Sequence, residues 1–121
     1  MPFILFDVNV PRPVSGLLTG HTVAFADRRG WRELSNGDLL AAAESAGFDV
    51  LLTTDLNLRY QQNLVTRRIA IVALTTNHWG TLRENLGLVA DAVDRARPGT
   101  YEEVVMPRPR LRRRPAPGRS P

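Results

Sequence analysis

Apolar and polar positions alternate along the chain in blocks, and each block predicts an element. "PFILF" (2–6) is a short apolar run between Pro2 and Asp7 and predicts a buried strand. "VPRPVSGLLTG" carries two prolines, which limits it to a short helix ending near Gly20. "HTVAFA" (21–26) predicts a second strand, and "DRRGWREL" a polar connection whose Trp31 and Leu34 pack back on the body. "SNGDLLAAAESAG" predicts a helix: Ser35 or Asn36 caps it, alanines and leucines fill it, and Gly47 stops it. "DVLLTT" (49–54) predicts a third strand, followed by a short helix or helical turn in "LNLRYQQNL". "RIAIVALTT" (68–76) is apolar almost throughout, as expected of a strand covered on both faces. "TLRE" matches a capping box and predicts a helix from Thr81, with Leu82, Leu86, Val89, Ala90 and Val93 along one face. Pro98 and Gly99 end it, and "TYEEVVM" predicts a final edge strand.

Strands alternating with helices at this spacing imply a parallel sheet with right-handed crossovers and helices on both faces. The expected fold is a three-layer α/β sandwich with a four- or five-stranded, mainly parallel sheet. One domain is expected over residues 1–106. The remainder, "PRPRLRRRPAPGRSP" (107–121), has five prolines and few apolar side chains, and is expected to be disordered.

Charge sharpens that division. All 16 basic residues are arginine. Residues 1–106 carry ten of them against twelve acids, a net of −2, and the tail carries six with no acid. A mildly acidic body thus precedes a basic arm able to bind phosphates through charge. No run of 18 apolar residues exists, so no membrane span is expected. "MPFILFD" has no basic n-region and is not expected to be a signal peptide. Without cysteine there is no disulfide, thiolate zinc site or cysteine nucleophile, and a cytoplasmic location is the simplest expectation.

In a parallel sheet the ends of strands and the starts of the following helices share one edge, where ligands bind. Asp7 closes the first predicted strand, Asp55 the third, and Asp38 opens the helix after the second. Topology alone sends these three carboxylates to one edge. Asn9 and Asn57 each follow one of them by two residues. Gathered carboxylates repel unless a cation intervenes. Oxygen ligands without cysteine favour Mg²⁺ or Mn²⁺, which can activate water and stabilise charge developing on a phosphodiester. Each residue also has a plainer explanation: Asp38 complements the helix dipole, and Asp55 caps the segment after it.

"ILFDVNVPR", "NGDLLAAAESAGFDVLLTTDLNL" and "IAIVAL" together resemble the compact PIN-like domains of bacterial toxin–antitoxin loci, relatives of VapC-type ribonucleases. The resemblance covers residues 3 to about 104. It implies an acidic metal site built from the aspartate ending the first strand, one opening a helix and one in a T-x-D motif, here Asp7, Asp38 and Asp55. A further acidic position of the family falls on Asn57, which is neutral, and the central helical glutamate of larger PIN domains has Glu33 or Glu44 as candidate substitutes. It further implies cleavage of an RNA substrate with Mg²⁺ or Mn²⁺, control by a cognate antitoxin protein, and frequent homodimers.

Arg12, Arg59, Tyr60 and Gln62 are candidates for substrate contact: arginine and glutamine for phosphate or base edges, tyrosine for stacking. A polar helix with Tyr60 turned inward, or Arg12 paired with a carboxylate, explains them equally. No serine lies in a nucleophile motif and there is no phosphate-binding glycine loop. A receiver-domain reading fits Asp7, Asp55 and Thr75 but lacks the lysine it needs. The remaining alternative is a non-catalytic PIN-like module that uses the tail to bind nucleic acid or an acidic protein.

Overall fold

The structure, a computed structural model, describes residues 3–18, 20–58 and 67–107. Five strands form one sheet: β1 (Phe3–Phe6), β2 (Thr22–Phe25), β3 (Val50–Thr53), β4 (Ala70–Leu74) and β5 (Tyr101–Val104). Their order is β2-β1-β3-β4-β5 and every pairing is parallel. Register aligns Phe6 with Phe25 and Leu52, and Thr53 with Ala73. The expected final strand is present and pairs at the β4 edge.

Both faces of the sheet are buried, which explains why its central strands read as apolar runs. All of β3 and β4 is buried. One face places Ile4, Phe6, Val50, Leu52, Val72 and Leu74 beneath α3 (Leu86–Arg95), through Val89, Ala92 and Val93. The other places Leu5, Leu51 and Ile71 beneath α1 (Asn36–Ser45), through Leu39, Leu40 and Ala43. This is a three-layer α/β sandwich. Trp31 joins the α1 face edge-on to Phe48, whereas Leu34 is exposed.

Two expectations shift in detail. The short helix expected after β1 is a 3-10 helix, Arg12–Leu17, and stops three residues short of Gly20. The helix expected from Thr81 begins two residues earlier as α2 (Trp79–Glu84), because His78 caps it: Nδ1 accepts from the Thr81 N–H at 3.2 Å. Asn85 then breaks the run, with the Leu82 carbonyl accepting its N–H, and α3 starts at Leu86. At α1 the Ser35 side chain is the cap, accepting from the Asp38 N–H, and Gly47 at φ 89° turns the chain out of the helix. Among the described residues no helix is long and apolar enough to cross a membrane.

Since all strands run parallel, Asp7, the turn Ala26–Arg29, Asp55, Thr75 and Met106 lie at one edge, just past the ends of β1, β2, β3, β4 and β5.

Candidate functional site

The site is built on Thr53, the last residue of β3 and fully buried. A buried hydroxyl must find partners, and this one has two. It donates to Asp7 Oδ2 at 2.7 Å and accepts from the Asp55 N–H at 3.0 Å. Asp7 is in turn fixed by its own backbone, which extends the β1–β3 ladder by donating to the Leu52 carbonyl at 2.9 Å. One hydroxyl therefore locks the aspartates that end two adjacent central strands.

Asp55 then opens a turn. Its Oδ1 accepts from the Asn57 N–H at 2.9 Å, and its Oδ2 accepts from Asn36 Nδ2, also at 2.9 Å. An aspartate that bonds the backbone two residues on stabilises such turns locally. The Asn36 contact is tertiary, bringing the first residue of α1 onto the strand end.

Asp38 sits in that first turn, exposed, with its backbone N–H capped by Ser35. Its carboxylate does not join the hydrogen-bonded chain; the α1 residue that does is Asn36. Among the described residues no three His, Asp or Glu side chains converge as metal ligands. The structure thus links Asp7 and Asp55 and leaves Asp38 outside their network.

Other expected residues take varied places. Asn9 is exposed in the loop after β1, and Asn57 is exposed while its backbone serves Asp55. Arg12 forms an ion pair, with Asp27 rather than with Asp7, and its guanidinium lies 4.6 Å over the Phe25 ring. Arg59, Tyr60 and Gln62 lie outside the described residues, as does the tail from residue 108. Glu33 is exposed before α1. Glu44 is at the far end of α1, where its carboxylate accepts from Arg67 at 2.8 Å and from the N–H groups of Arg68 and Ile69. Burial pushes the Glu44 carboxyl up, but those hydrogen bonds and the Arg67 charge outweigh it and hold the group below its ordinary 4.5. It serves as a structural staple at the opposite edge of the sheet.

Two further residues belong to this edge. The sequence marks Asn36 only as a cap, although its position two residues before Asp38 is a signal for it. Glu103 aligns through Ala73 with Thr53 and places another acid along the same row, its Oε2 3.2 Å from the Tyr101 hydroxyl. That hydroxyl also lies 3.3 Å from the Leu56 carbonyl, tying β5 to the Asp55 turn.

Each oxygen of Asp7 and Asp55 accepts one internal hydrogen bond. A carboxylate oxygen has two lone pairs, so each keeps one unused among these bonds. That donor set does not make a three-carboxylate cage. It does fit Mg²⁺, which is commonly held by one or two carboxylates and completed by water and substrate phosphate.

No protein-family model matches the chain, and neither does any characterised protein or solved structure.

Proposed function

We propose that this chain is a metal-dependent ribonuclease of the PIN-like type, hydrolysing RNA phosphodiesters at the sheet edge marked by Asp7 and Asp55. The observation that carries the reading is the buried Thr53 hydroxyl, which holds both aspartates at the ends of adjacent strands. A buried hydroxyl committed to one part-exposed carboxylate and to the backbone of a second aspartate suits chemistry at that edge better than packing. The resemblance of "FDVNV" and "TTDLN" to PIN-like sequences supports the same reading and extends it to the toxin of a toxin–antitoxin pair, restrained by a cognate antitoxin in the cytoplasm.

Asp7 and Asp55 would hold the ion. Bound there, Mg²⁺ or Mn²⁺ supplies an activated water and neutralises charge on the scissile phosphate. The protein's own task is orientation: Thr53, Asn36 and the Asn57 N–H restrict both carboxylates to one rotamer each, so little ordering is left for the moment of binding.

One observation favours a second reading, a non-catalytic module: among the described residues no third ligand converges on the pair. Thermal melts in EDTA, Mg²⁺ and Mn²⁺ separate the two. An ion at about 100 times its Kd stabilises the folded state by roughly 2.7 kcal/mol, several degrees for a domain of this size. Stabilisation by Mn²⁺ in wild type and not in Asp7→Asn or Asp55→Asn, together with RNA cleavage that the same substitutions abolish, is the expected result. Ion-independent melting with RNA bound but uncut would favour the module.

A further inference from the structure

We propose that the exposed edge of the sheet at β2 is a phosphate-gripping track for single-stranded RNA, formed by Arg12, Arg28, Arg29 and Arg32. The proposal rests on the ribonuclease reading for the identity of the strand. The track itself is argued from charge and geometry.

Edge strand β2 ends in Phe25, and the turn that follows is "ADRR". Two guanidinium groups stack on the Phe25 ring, Arg12 at 4.6 Å and Arg28 at 5.3 Å from its centroid. Arg29 lies 4.7 Å over Trp31 and 5.1 Å over Phe48. Trp31 and Phe48 belong to the α1 face, whereas Phe25 packs with the opposite one, so the arginines flank the open edge from both sides. Asp27 answers two of the four: it pairs with Arg12 and lies 3.9 Å from Arg32. Arg28 and Arg29 have no carboxylate partner among the described residues. With Asp27 and the neighbouring Glu33 counted against the four arginines, the local balance is still positive in a body whose net charge is −2.

Stacking a guanidinium on a ring fixes its plane and leaves its edge N–H groups facing out, in the fork that matches phosphate oxygens. Such pre-ordering lowers the entropy lost on binding. The aromatic faces here are already covered, so the patch offers charge without an apolar anchor. A protein partner needs that anchor at the centre of its interface, and a nucleic-acid backbone does not. Position agrees: Phe25 is in register with Phe6, so the track begins one strand from Asp7. An RNA lying along it would present a phosphodiester to the aspartate pair.

The test is binding of a fluorescent single-stranded oligouridylate to the full-length protein in EDTA, by anisotropy, across a salt series. All variants keep the tail arginines, so the readout is the difference between them. Each phosphate contact on a single strand contributes about 0.7 to the slope of log K against log salt. Arg28→Ala/Arg29→Ala should lower the slope by about 1.4 and weaken binding on the order of tenfold at 0.1 M salt. Arg68→Ala/Arg97→Ala, which removes the same charge from the other edge, should leave both near wild type, and matched melting temperatures would show that each variant folds. Equal losses from the two double variants, or none from the first, would overturn the track. So would displacement of the RNA by oligoglutamate at equal charge concentration, which would mark a protein-docking patch. Cleavage that persists while Arg28 and Arg29 prove irrelevant would sink this proposal and leave the ribonuclease reading standing. The reverse pattern, a working track with no cleavage under Mn²⁺, would sink the other.

Discussion

Thr53 shows how one buried hydroxyl can organise a site. Its side chain is the shared partner of Asp7 Oδ2 and of the Asp55 backbone, and replacing it with valine keeps the shape but removes the bond that each makes to it. Thr53→Val should therefore cost about 1–3 kcal/mol in urea unfolding, with Thr53→Ser costing much less. If the threonine serves chiefly to place carboxylates, the valine variant should also lose the Mn²⁺-dependent rise in melting temperature. Glu44 makes a separate prediction, because its carboxyl is held below 4.5 when folded. A lowered value means that the charged form stabilises the fold above the ordinary range and that this contribution is lost as pH falls through the lowered value. The stability difference between wild type and Glu44→Gln should thus be constant near neutral pH and shrink below pH 4.5. A difference that stayed flat to low pH would show that Glu44 is not the titrating staple. Asp7 and Asp55 were legible as candidates because each follows an apolar run. The hydroxyl between them was not, since a threonine ending a strand looks like any other β-branched residue until its neighbour strand is known.

Elements were legible where period and punctuation agreed. Helix α1 starts and stops where Ser35 and Gly47 require, because capping is a local exchange between a side chain and the nearest unpaired backbone groups. Helix α2 was misplaced for a local reason of a different kind. Its capping atom is the ring Nδ1 of His78, which sits at the same distance along the side chain as the acceptor oxygen of asparagine and can do the same work. Gly80 is tied to that cap: a methyl group there would fall 2.9 Å from His78 Cε1. Gly80→Ala should gain about 0.5–1 kcal/mol of helix propensity when His78 is alanine. In wild type the same change should gain little or lose, since displacing a cap costs about 0.5–2 kcal/mol. A double-mutant cycle by urea denaturation measures this, and equal effects in the two backgrounds would refute the coupling.

At the scale of the whole molecule, the sheet is sealed on both faces, so neighbouring residues of its central strand are equally committed. Leu51 packs beneath α1 and Leu52 beneath α3, both fully buried. Leu51→Ala and Leu52→Ala should each cost about 2–5 kcal/mol, whereas a sheet with one wet face would tolerate one of them. Parallel pairing also puts Asp7, Asp55 and the turn that follows β2 at a single edge, although the two aspartates are 48 residues apart in sequence. The amino-acid sequence by itself determined the alternation of strands and helices, the parallel class of the sheet and the edge to which the aspartates go. Those properties follow from period, caps and the direction of crossovers, all of which act within a few residues or within one βα unit. Tertiary structure decided that Asn36, rather than Asp38, hydrogen-bonds Asp55, that one hydroxyl joins the two strand ends, and that three arginines share three aromatic rings. Such contacts depend on how far a helix start slides along a strand end and on which rotamer packing allows. Displacements of an ångström or two decide them, and the pattern of apolar and polar positions does not carry that information.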